Sequence, residues 1–388
     1  MTMQTERHPP KIILIGTQMT RAGAQYSLLK LGRGLQARGW QVSAAFLFDK
    51  DGLQADWQAA EGFPVLDMGL WRKGGRWWDA WRLLVGWLRL LRLLRAGQFD
   101  LLMSFTQHCN LLAIPAAWLA GVPVRVASNR GCIDGMPPWM SRLHGAMVNS
   151  AATTCLVANS EHVRGAALEF EKVHPQKIVV IPNGVELPDL QGRETARRAV
   201  CAEFDLAPDA NVLLSVGRLT RQKGHTYLLD ALPDVLRAYP NTLLLAVGDG
   251  DLRQPLQEQA RRLGLENAIR FTGMRADVPR LLLAADLFVF PTLWEGMPNA
   301  LLEAMAYRLP CVASAIPEVQ EVMVHGESGY LFPARQSAPL AQALITLLSD
   351  AALRQRLAQG SRAVVEKRYS VAGMWEAYAG LFEQLLSP

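Results

Sequence analysis

The 388-residue sequence predicts an α/β protein of two Rossmann-like, doubly wound parallel-sheet domains. Three observations carry this. The chain is too long for one ordinary core and suits two of common size. Short β-branched or apolar runs alternate with amphipathic helical stretches nearly throughout, the pattern of parallel sheets covered by helices on both faces. The polar stretch from Asn183 to Arg197, with Pro188, Gly192 and mixed charges, interrupts that series, and a fresh strand–loop–helix series begins at Val212. The expected domains are therefore residues 1–185 and 186–370.

The first sheet is expected to use Ile12 to Ile15, Val42 to Phe48, Phe99 to Ser104, Val122 to Ser128, Thr153 to Val157 and Ile178 to Ile181. The second is expected from Val212 to Val216, Thr242 to Val247, Ile269 to Thr272, Leu287 to Phe290, Cys311 to Ala313 and Tyr330 to Phe332, with helices following to the end. Open parallel sheets bind ligands beyond the carboxyl ends of their strands, so the loops there are where chemistry is sought.

Half of the residues are apolar and Gly and Pro are ordinary in number, which excludes disorder and low-complexity arrays. The five cysteines are widely spaced, with no C-x-x-C pair, and point to a reduced, cytoplasmic setting without a structural metal. The opening MTMQTERHPPKIILIG holds only a brief apolar run, expected as a strand and not a signal core. Leu111 to Val124 is too short to span a bilayer and contains Pro115 and Pro123. Up to Glu186 there are 20 Lys and Arg against 13 Asp and Glu, leaving 20 against 22 beyond it, so the first half holds all the basic excess. That excess fits nucleic acid, an anionic membrane or a phosphorylated substrate.

Three loops of the second half fall at strand ends: Gly217 to Gly224, Gly248-Asp249-Gly250 and Trp294 to Asn299. In the first, Arg218 and Lys223 flank a turn before a helix, where guanidinium, ammonium and free N–H groups can hold a diphosphate; the alternative is a solvated basic turn. After Leu287 to Phe290 two carboxylates follow eight positions apart, Glu295 in the loop and Glu303 in the helix. Pro298 suits the first helical turn, so the N–H groups near Ala300 and Leu301 can face a phosphate while Glu303, one turn further, can bind ribose hydroxyls. Otherwise Glu303 is a first-turn carboxylate favoured by the helix dipole and Glu295 a surface charge.

These motifs resemble the retaining nucleotide-sugar glycosyltransferases of family four, the glycogen-synthase-like and lipopolysaccharide-type group. The resemblance rests on Glu295 and Glu303 inside EGMPNALLEAMA, on Gly217-Arg218 and Lys223-Gly224, Gly248-Asp249-Gly250, Phe271-Thr272-Gly273 and Ile181-Pro182-Asn183-Gly184-Val185. It covers nearly the whole chain in order. It implies the GT-B fold, two domains facing a deep cleft, with a helix from about residue 371 to 388 returning to the first. It implies that Arg218 and Lys223 neutralise the donor diphosphate, that Glu303 holds the ribose and that Glu295 contacts the transferred sugar. Gly296, Met297, Pro298 and Asn299 would complete that donor loop, and the backbone near Met274 and Arg275 would meet the base. It further implies same-face attack with retained configuration, the departing phosphate taking the acceptor proton. Asp249-Gly250-Asp251 looks like a D-x-D metal motif but stands in the family's Gly-Asp-Gly turn, so no metal or other cofactor is expected beside the nucleotide-diphosphate sugar.

The first half matches more loosely. Where the family has a Gly-Gly-Ala turn this chain has Ala22-Gly23-Ala24, and Gly23 still lets backbone approach a ligand. Where many relatives carry a His, this chain has Phe105, with His108 three residues later; His108 either supplies the missing imidazole or is a capping or core histidine. Arg130 either meets an acceptor phosphate or, more plainly, pairs with a carboxylate.

Residues 71 to 95 contain five Trp and seven Arg or Lys with one Asp. From Trp77 they read as one helix, with Arg82, Arg89, Arg92 and Arg95 on one side and Trp81, Leu84, Val85, Leu88 and Leu91 on the other. The apolar side is expected to cover the sheet. Trp71, Trp77 and Trp78 with Arg72, Lys73 and Arg76 suit the headgroup layer of an anionic membrane, a partner protein or a phosphorylated acceptor. The resulting expectation is a cytoplasmic transferase, peripheral on the inner membrane, acting on a saccharide or lipid-linked acceptor. Its rivals are an inactive docking protein of the same fold and a sugar-nucleotide epimerase. No nucleic-acid partner is expected.

Overall fold

The computed structural model describes residues 8–20, 23–71, 80–131 and 136–387. The chain forms two compact units, Met1–Gly184 with Ala372–Pro388, and Val185–Val371.

The first unit runs β1 (Lys11–Met19), α1 (Gly23–Gln36), β2 (Gln41–Asp49), α2 (Gln54–Ala60), β3 (Val65–Asp67), α3 (Ala80–Gly97), β4 (Leu101–Phe105), α4 (Gln107–Ala120), β5 (Val124–Asn129), α5 (Pro138–Asn149), β6 (Cys155–Ala158), α6 (Glu161–Glu169) and β7 (Ile178–Val180). Its sheet has the order β3-β2-β1-β4-β5-β6-β7 with parallel pairing between every neighbour. Ile12 to Ile15 of β1 are fully buried, as a continuous apolar run must be when helices cover both faces. The short edge strand β3, bounded by Pro64, was too brief to register as a pattern in the sequence. Because the strand order reverses at β1 and β4, α3 to α6 cover one face. One core joins Leu90 and Leu94 of α3, Cys109 to Ala117 of α4, Val148 of α5 and Val163 of α6.

The second unit runs α7 (Arg193–Glu203), β8 (Asn211–Val216), α8 (His225–Ala238), β9 (Thr242–Val247), α9 (Arg253–Arg262), β10 (Ile269–Gly273), α10 (Val278–Ala284), β11 (Leu287–Phe290), α11 (Asn299–Ala306), β12 (Cys311–Ser314), α12 (Pro317–Gln320), β13 (Tyr330–Phe332), α13 (Ser337–Ser349) and α14 (Ala351–Arg368). Its sheet is β10-β9-β8-β11-β12-β13, also parallel. All six strands expected there form. The switch point between β8 and β11 is where the rule for open sheets places a ligand.

The last helix, α15 (Val371–Leu386), packs into the first unit. Trp375 donates from its indole nitrogen to the Lys30 carbonyl at 2.9 Å, and Phe382 lies 5.9 Å from the Trp40 ring.

Helix α3 corrects the sequence reading. Its buried side is Leu90, Leu91 and Leu94, with Leu83 and Trp87 partly covered, while Trp81 is 59% exposed, Leu84 60% and Leu88 37%. Arg89, Arg92 and Arg95 are exposed beside them. Apolar and basic side chains therefore share the outward arc, and the residues assigned to the sheet from spacing alone largely face away from it. A second apolar row, offset by about a third of a turn, won the place on the sheet because it includes the leucines that join the core shared with α4. The basic start of the segment, Arg72, Lys73, Arg76, Trp77 and Trp78, lies outside the described residues, as do Arg21 and Ala22.

Candidate active site

Two loops of the second unit interlock at the switch point. The turn after β8 ends in a 3-10 turn, Arg221–Lys223, and Gly224, whose φ of +64° turns the chain into α8. A side chain at Gly224 would collide with the carbonyl oxygen of Pro291, so only glycine lets the two loops touch. The Leu293 N–H donates to the Gln222 carbonyl at 2.7 Å, and the Thr292 hydroxyl oxygen lies 3.1 Å from the same carbonyl oxygen. In return the Gln222 amide donates to the Trp294 carbonyl at 2.8 Å. Backbone and side chain thus fix the loop that carries Glu295 against the turn that carries Lys223.

At their meeting point Lys223 Nζ donates to Glu295 Oε1 at 2.5 Å, and the Thr292 hydroxyl donates to that oxygen at 2.7 Å. Both charged side chains are largely buried, 15% and 6% exposed. Lys223 also lies 5.1 Å from the centroid of the Phe290 ring. The Glu295 N–H donates to Glu318 Oε1 at 3.1 Å. Behind Lys223, His225 is buried with Nε2 3.3 Å from the Ser215 hydroxyl; burial, and then the Lys223 charge, push its pKa down to about 4. It stays neutral near pH 7 and leaves Lys223 as the charge at this spot.

The neighbouring strand end adds the third loop. Gly248, at φ +135°, passes so close to the Gly217 carbonyl that a side chain there would collide with it. The Gly248 N–H donates to the Gly273 carbonyl at 2.9 Å, and the Leu219 N–H to the Asp249 carbonyl at 2.9 Å. Asp249 itself accepts from the Gly250 N–H at 2.8 Å and faces Arg253 at 3.2 Å, so its carboxylate shapes the turn. Arg218 meets Gln222 Oε1 at 3.2 Å and stays at the solvent side of the turn. Met274 is 60% exposed beyond β10, whereas the Arg275 guanidinium is held by Asp277 and Glu203, both at 2.7 Å. The hydrogen bond from Arg275 holds the Asp277 carboxyl well below the usual carboxylate range. The Arg275 guanidinium is thus committed to carboxylates of its own unit.

Helix α11 begins at Asn299, with Pro298 just outside it as the capping residue; the sequence reading had Pro298 inside the first turn. The N–H groups of Ala300 and Leu301 remain in the turn that lacks preceding helical carbonyls. Glu303 is half-buried one turn on.

In the first unit His108 is exposed in the first turn of α4, which rules out the core reading. Arg130, at the end of β5, has no carboxylate partner among the described residues, against the plainer expectation. It donates to the Ser128 hydroxyl at 2.8 Å, to Asn183 Oδ1 at 2.5 Å and to the Tyr378 hydroxyl at 2.6 Å, and it stacks over the Phe105 ring at 4.4 Å. Phe105 is fully buried as the floor of that guanidinium. Burial pushes the Arg130 pKa down. Gly23 opens α1.

Sequence reasoning missed Gln222, Thr292 and Glu318. The first two act by position, which no local pattern reveals. Glu318 follows β12, and the strand-end rule used for the other loops points to it equally well.

A family model described as Glycosyl transferases group 1 matches residues 199–364, and one described as Glycosyltransferase Family 4 matches residues 21–188. The UDP-Gal:alpha-D-GlcNAc-diphosphoundecaprenol alpha-1,3-galactosyltransferase of Escherichia coli is 28% identical over 278 residues, covering 69% of this chain and 70% of its own. A phosphatidyl-myo-inositol mannosyltransferase of Mycobacterium leprae is 37% identical over 204 residues, half of each chain. The crystal structure of HepE from Anabaena with UDP-glucose superposes with a TM-score of 0.83 at 22% identity, covering 96% of this chain and 99% of that one. That likeness shows the GT-B fold, and with both family models matched in order, the chain belongs to the group 1, family 4 glycosyltransferases.

Proposed function

We propose that the protein transfers a sugar, with retention and without metal or other cofactor, from a nucleotide-diphosphate sugar to a saccharide or lipid-linked acceptor at the cytoplasmic face of a membrane. The observation that carries this reading is the buried contact of Lys223 with Glu295, one cation and one carboxylate held by two interlocked loops at the strand ends of the second unit. Breaking the bond between the sugar and the diphosphate leaves negative charge on the departing group, and stabilising that charge is the main catalytic task. Arg218, Lys223 and the first-turn N–H groups of α11 serve it, Glu303 takes the ribose hydroxyls, and Glu295 holds the sugar while orienting Lys223. The acceptor oxygen forms the new bond on the face the diphosphate leaves, and its proton passes to the departing phosphate. His108 and Arg130 of the first unit are assigned to the acceptor, the guanidinium of Arg130 to an anionic group of it.

The relatives' names support the substrate classes, since one acts on a diphosphoundecaprenol-linked sugar and another is a phosphatidyl-myo-inositol mannosyltransferase. Peripheral membrane contact through residues 71–95 belongs to the same reading, and no described helix is long and apolar enough to cross a membrane. The test is a thermal-shift and hydrolysis screen against UDP-, GDP-, ADP- and dTDP-sugars with EDTA present, beside Glu303→Ala. Stabilisation and slow nucleotide release by one donor, lost in the variant, are expected. Silence from every donor, or release only without EDTA, refutes it.

A further inference from the structure

The carboxyl edge of the first sheet holds a backbone outlier and a buried polar network, and the two share atoms. Thr106, between β4 and α4, stands at φ +81° and ψ 149°, a backbone that glycine tolerates and a β-branched residue avoids. Such strain persists only where the surroundings over-determine it. Here the Thr106 N–H donates to the Ser128 carbonyl at 3.0 Å, and its carbonyl accepts from the Asn110 N–H at 2.9 Å. The Thr106 hydroxyl lies 2.7 Å from that of Thr17, near the end of β1.

Asn110 is fully buried and binds both backbone groups of Ser128, its Oδ1 accepting from the N–H at 3.4 Å and its Nδ2 donating to the carbonyl at 3.2 Å. The Ser104 hydroxyl also donates to Oδ1. The direction of the amide is thereby fixed. Nδ2 faces His144 Nε2 at 2.9 Å, so that ring nitrogen accepts, and the ring's own proton is assigned to Nδ1, which donates to Glu171 Oε2 at 2.7 Å. Both side chains are sealed from solvent. Glu171 Oε1 accepts from the Asn129 amide at 3.1 Å and from the Gln107 amide at 3.3 Å. Among the described residues no Lys or Arg pairs with this carboxylate, which neutral N–H donors alone satisfy.

Gln107 and Asn110 stand on either side of His108 at the start of α4, and Asn129 precedes Arg130, whose Nε donates to the Ser128 hydroxyl at 2.8 Å. One carboxylate, on the segment between α6 and β7, therefore braces both strand-end loops to which the acceptor groups belong. Packing alone does not require it, since apolar residues of similar volume commonly hold such a core as well. A fully satisfied polar network adds rigidity in one arrangement. We propose that Glu171 and His144 are positioning residues: through Asn110, Gln107 and Asn129 they hold Thr106 in its strained turn and set where His108 and Arg130 stand. Their effect on transfer rests on the acceptor reading above, whereas the hold on Thr106 is independent of it.

The first variant is Thr106→Gly in the full chain, because it relieves the backbone without touching the buried carboxylate. It should melt no lower than the native protein, although it loses a hydroxyl contact and gives the unfolded chain more freedom. In a Glu171→Gln background, where the turn is already released, the same change should lower the melting temperature by several degrees. Kinetics use the donor found in the screen and a decyl-diphosphate-linked N-acetylglucosamine as acceptor probe. Thr106→Gly, Glu171→Gln and His144→Phe should each raise the acceptor KM about tenfold or more and the donor KM less than about twofold, as expected when an acceptor group is misplaced. Should the two buried-site variants fail to fold, Thr106→Gly decides alone. Melting of Thr106→Gly well below the native protein, an equal effect in both backgrounds, or an unchanged acceptor KM in that stable variant overturns the proposal. Donor hydrolysis with no transfer to the probe by the native protein would sink the acceptor reading, and the melting comparison would then decide the hold on Thr106.

Discussion

Replacing Lys223 by Met keeps most of the stem that lies beside Gly217 and removes the ammonium that meets Glu295 at 2.5 Å. Two opposite charges about 4 Å apart attract by roughly 4 kcal/mol at an effective dielectric of about 20, and this closer pair is only 15% and 6% exposed. Desolvation offsets much of that in the intact pair, but removing one partner leaves the other buried and unmatched, which costs about 3–5 kcal/mol. Lys223→Met is therefore expected to lose about 3 kcal/mol, the Thr292 hydroxyl still holding one carboxylate oxygen. In the double variant with Glu295→Gln no charge is stranded, and most of the loss should return. A double-mutant cycle by urea denaturation measures this, with an expected coupling of about 2 kcal/mol. A cost below about 1 kcal/mol for Lys223→Met, or a double variant no more stable than the single one, would refute the claim that this pair is held desolvated by the interlocked loops.

The other predictions address the same framework. On the proposed assignments, Glu295→Gln should bind the nucleoside diphosphate of the identified donor at least as tightly as the native protein by calorimetry, because it loses the negative charge beside Lys223, while sugar transfer is lost; Lys223→Met should weaken that binding at least tenfold. His225 has a folded pKa of about 4, below its unfolded value of about 6.5, so the unfolded chain binds more protons in that window and stability falls as pH drops through it. Between pH 7.5 and 5 the loss from this group is about 2 kcal/mol, and His225→Gln should flatten that part of the stability–pH curve. Gly224→Ala combines a left-handed backbone with a collision against Pro291, and should cost at least about 2 kcal/mol and abolish donor-induced thermal stabilisation. Arg130→Met removes three hydrogen bonds from a charged donor and should lower stability by about 3 kcal/mol in chemical denaturation.

Why the second unit was legible lies in the kind of constraint each residue meets. Among the strands of the second unit, β9, β11 and β12 are apolar runs buried throughout and β8 is buried over its middle four residues, so burial on both faces wrote them into composition, while the edge strands β10 and β13 are only partly buried. Gly224 and Gly248 are visible because a backbone that approaches another carbonyl admits no other residue. Gln222 and Thr292 were not visible, since their role depends on two loops 70 residues apart in sequence meeting at one carbonyl. The described partners of Arg130 were not legible for a similar reason. A half-buried guanidinium is ordinarily expected beside a carboxylate, and nothing local announces that Phe105, Asn183 and Tyr378 are brought around it from three distant segments.

Helix α3 shows where periodicity itself runs out. Its 18 residues carry two apolar rows, Leu83-Trp87-Leu90-Leu94 and Trp81-Leu84-Leu88, and both satisfy a 3.6-residue repeat. A period identifies a helix and a face but cannot rank two faces of similar hydropathy. What ranks them is the partner surface. Trp87 on the buried row donates from its indole to the Leu112 carbonyl at 3.0 Å, a bond that gives its polar atom a partner. Trp81 stays 59% exposed, with the Arg82 guanidinium 5.3 Å from its ring. A helix that merely closed over a sheet would need only the first row. The second stays exposed among arginines, because the core shared with the sheet and α4 takes up only one side of the helix.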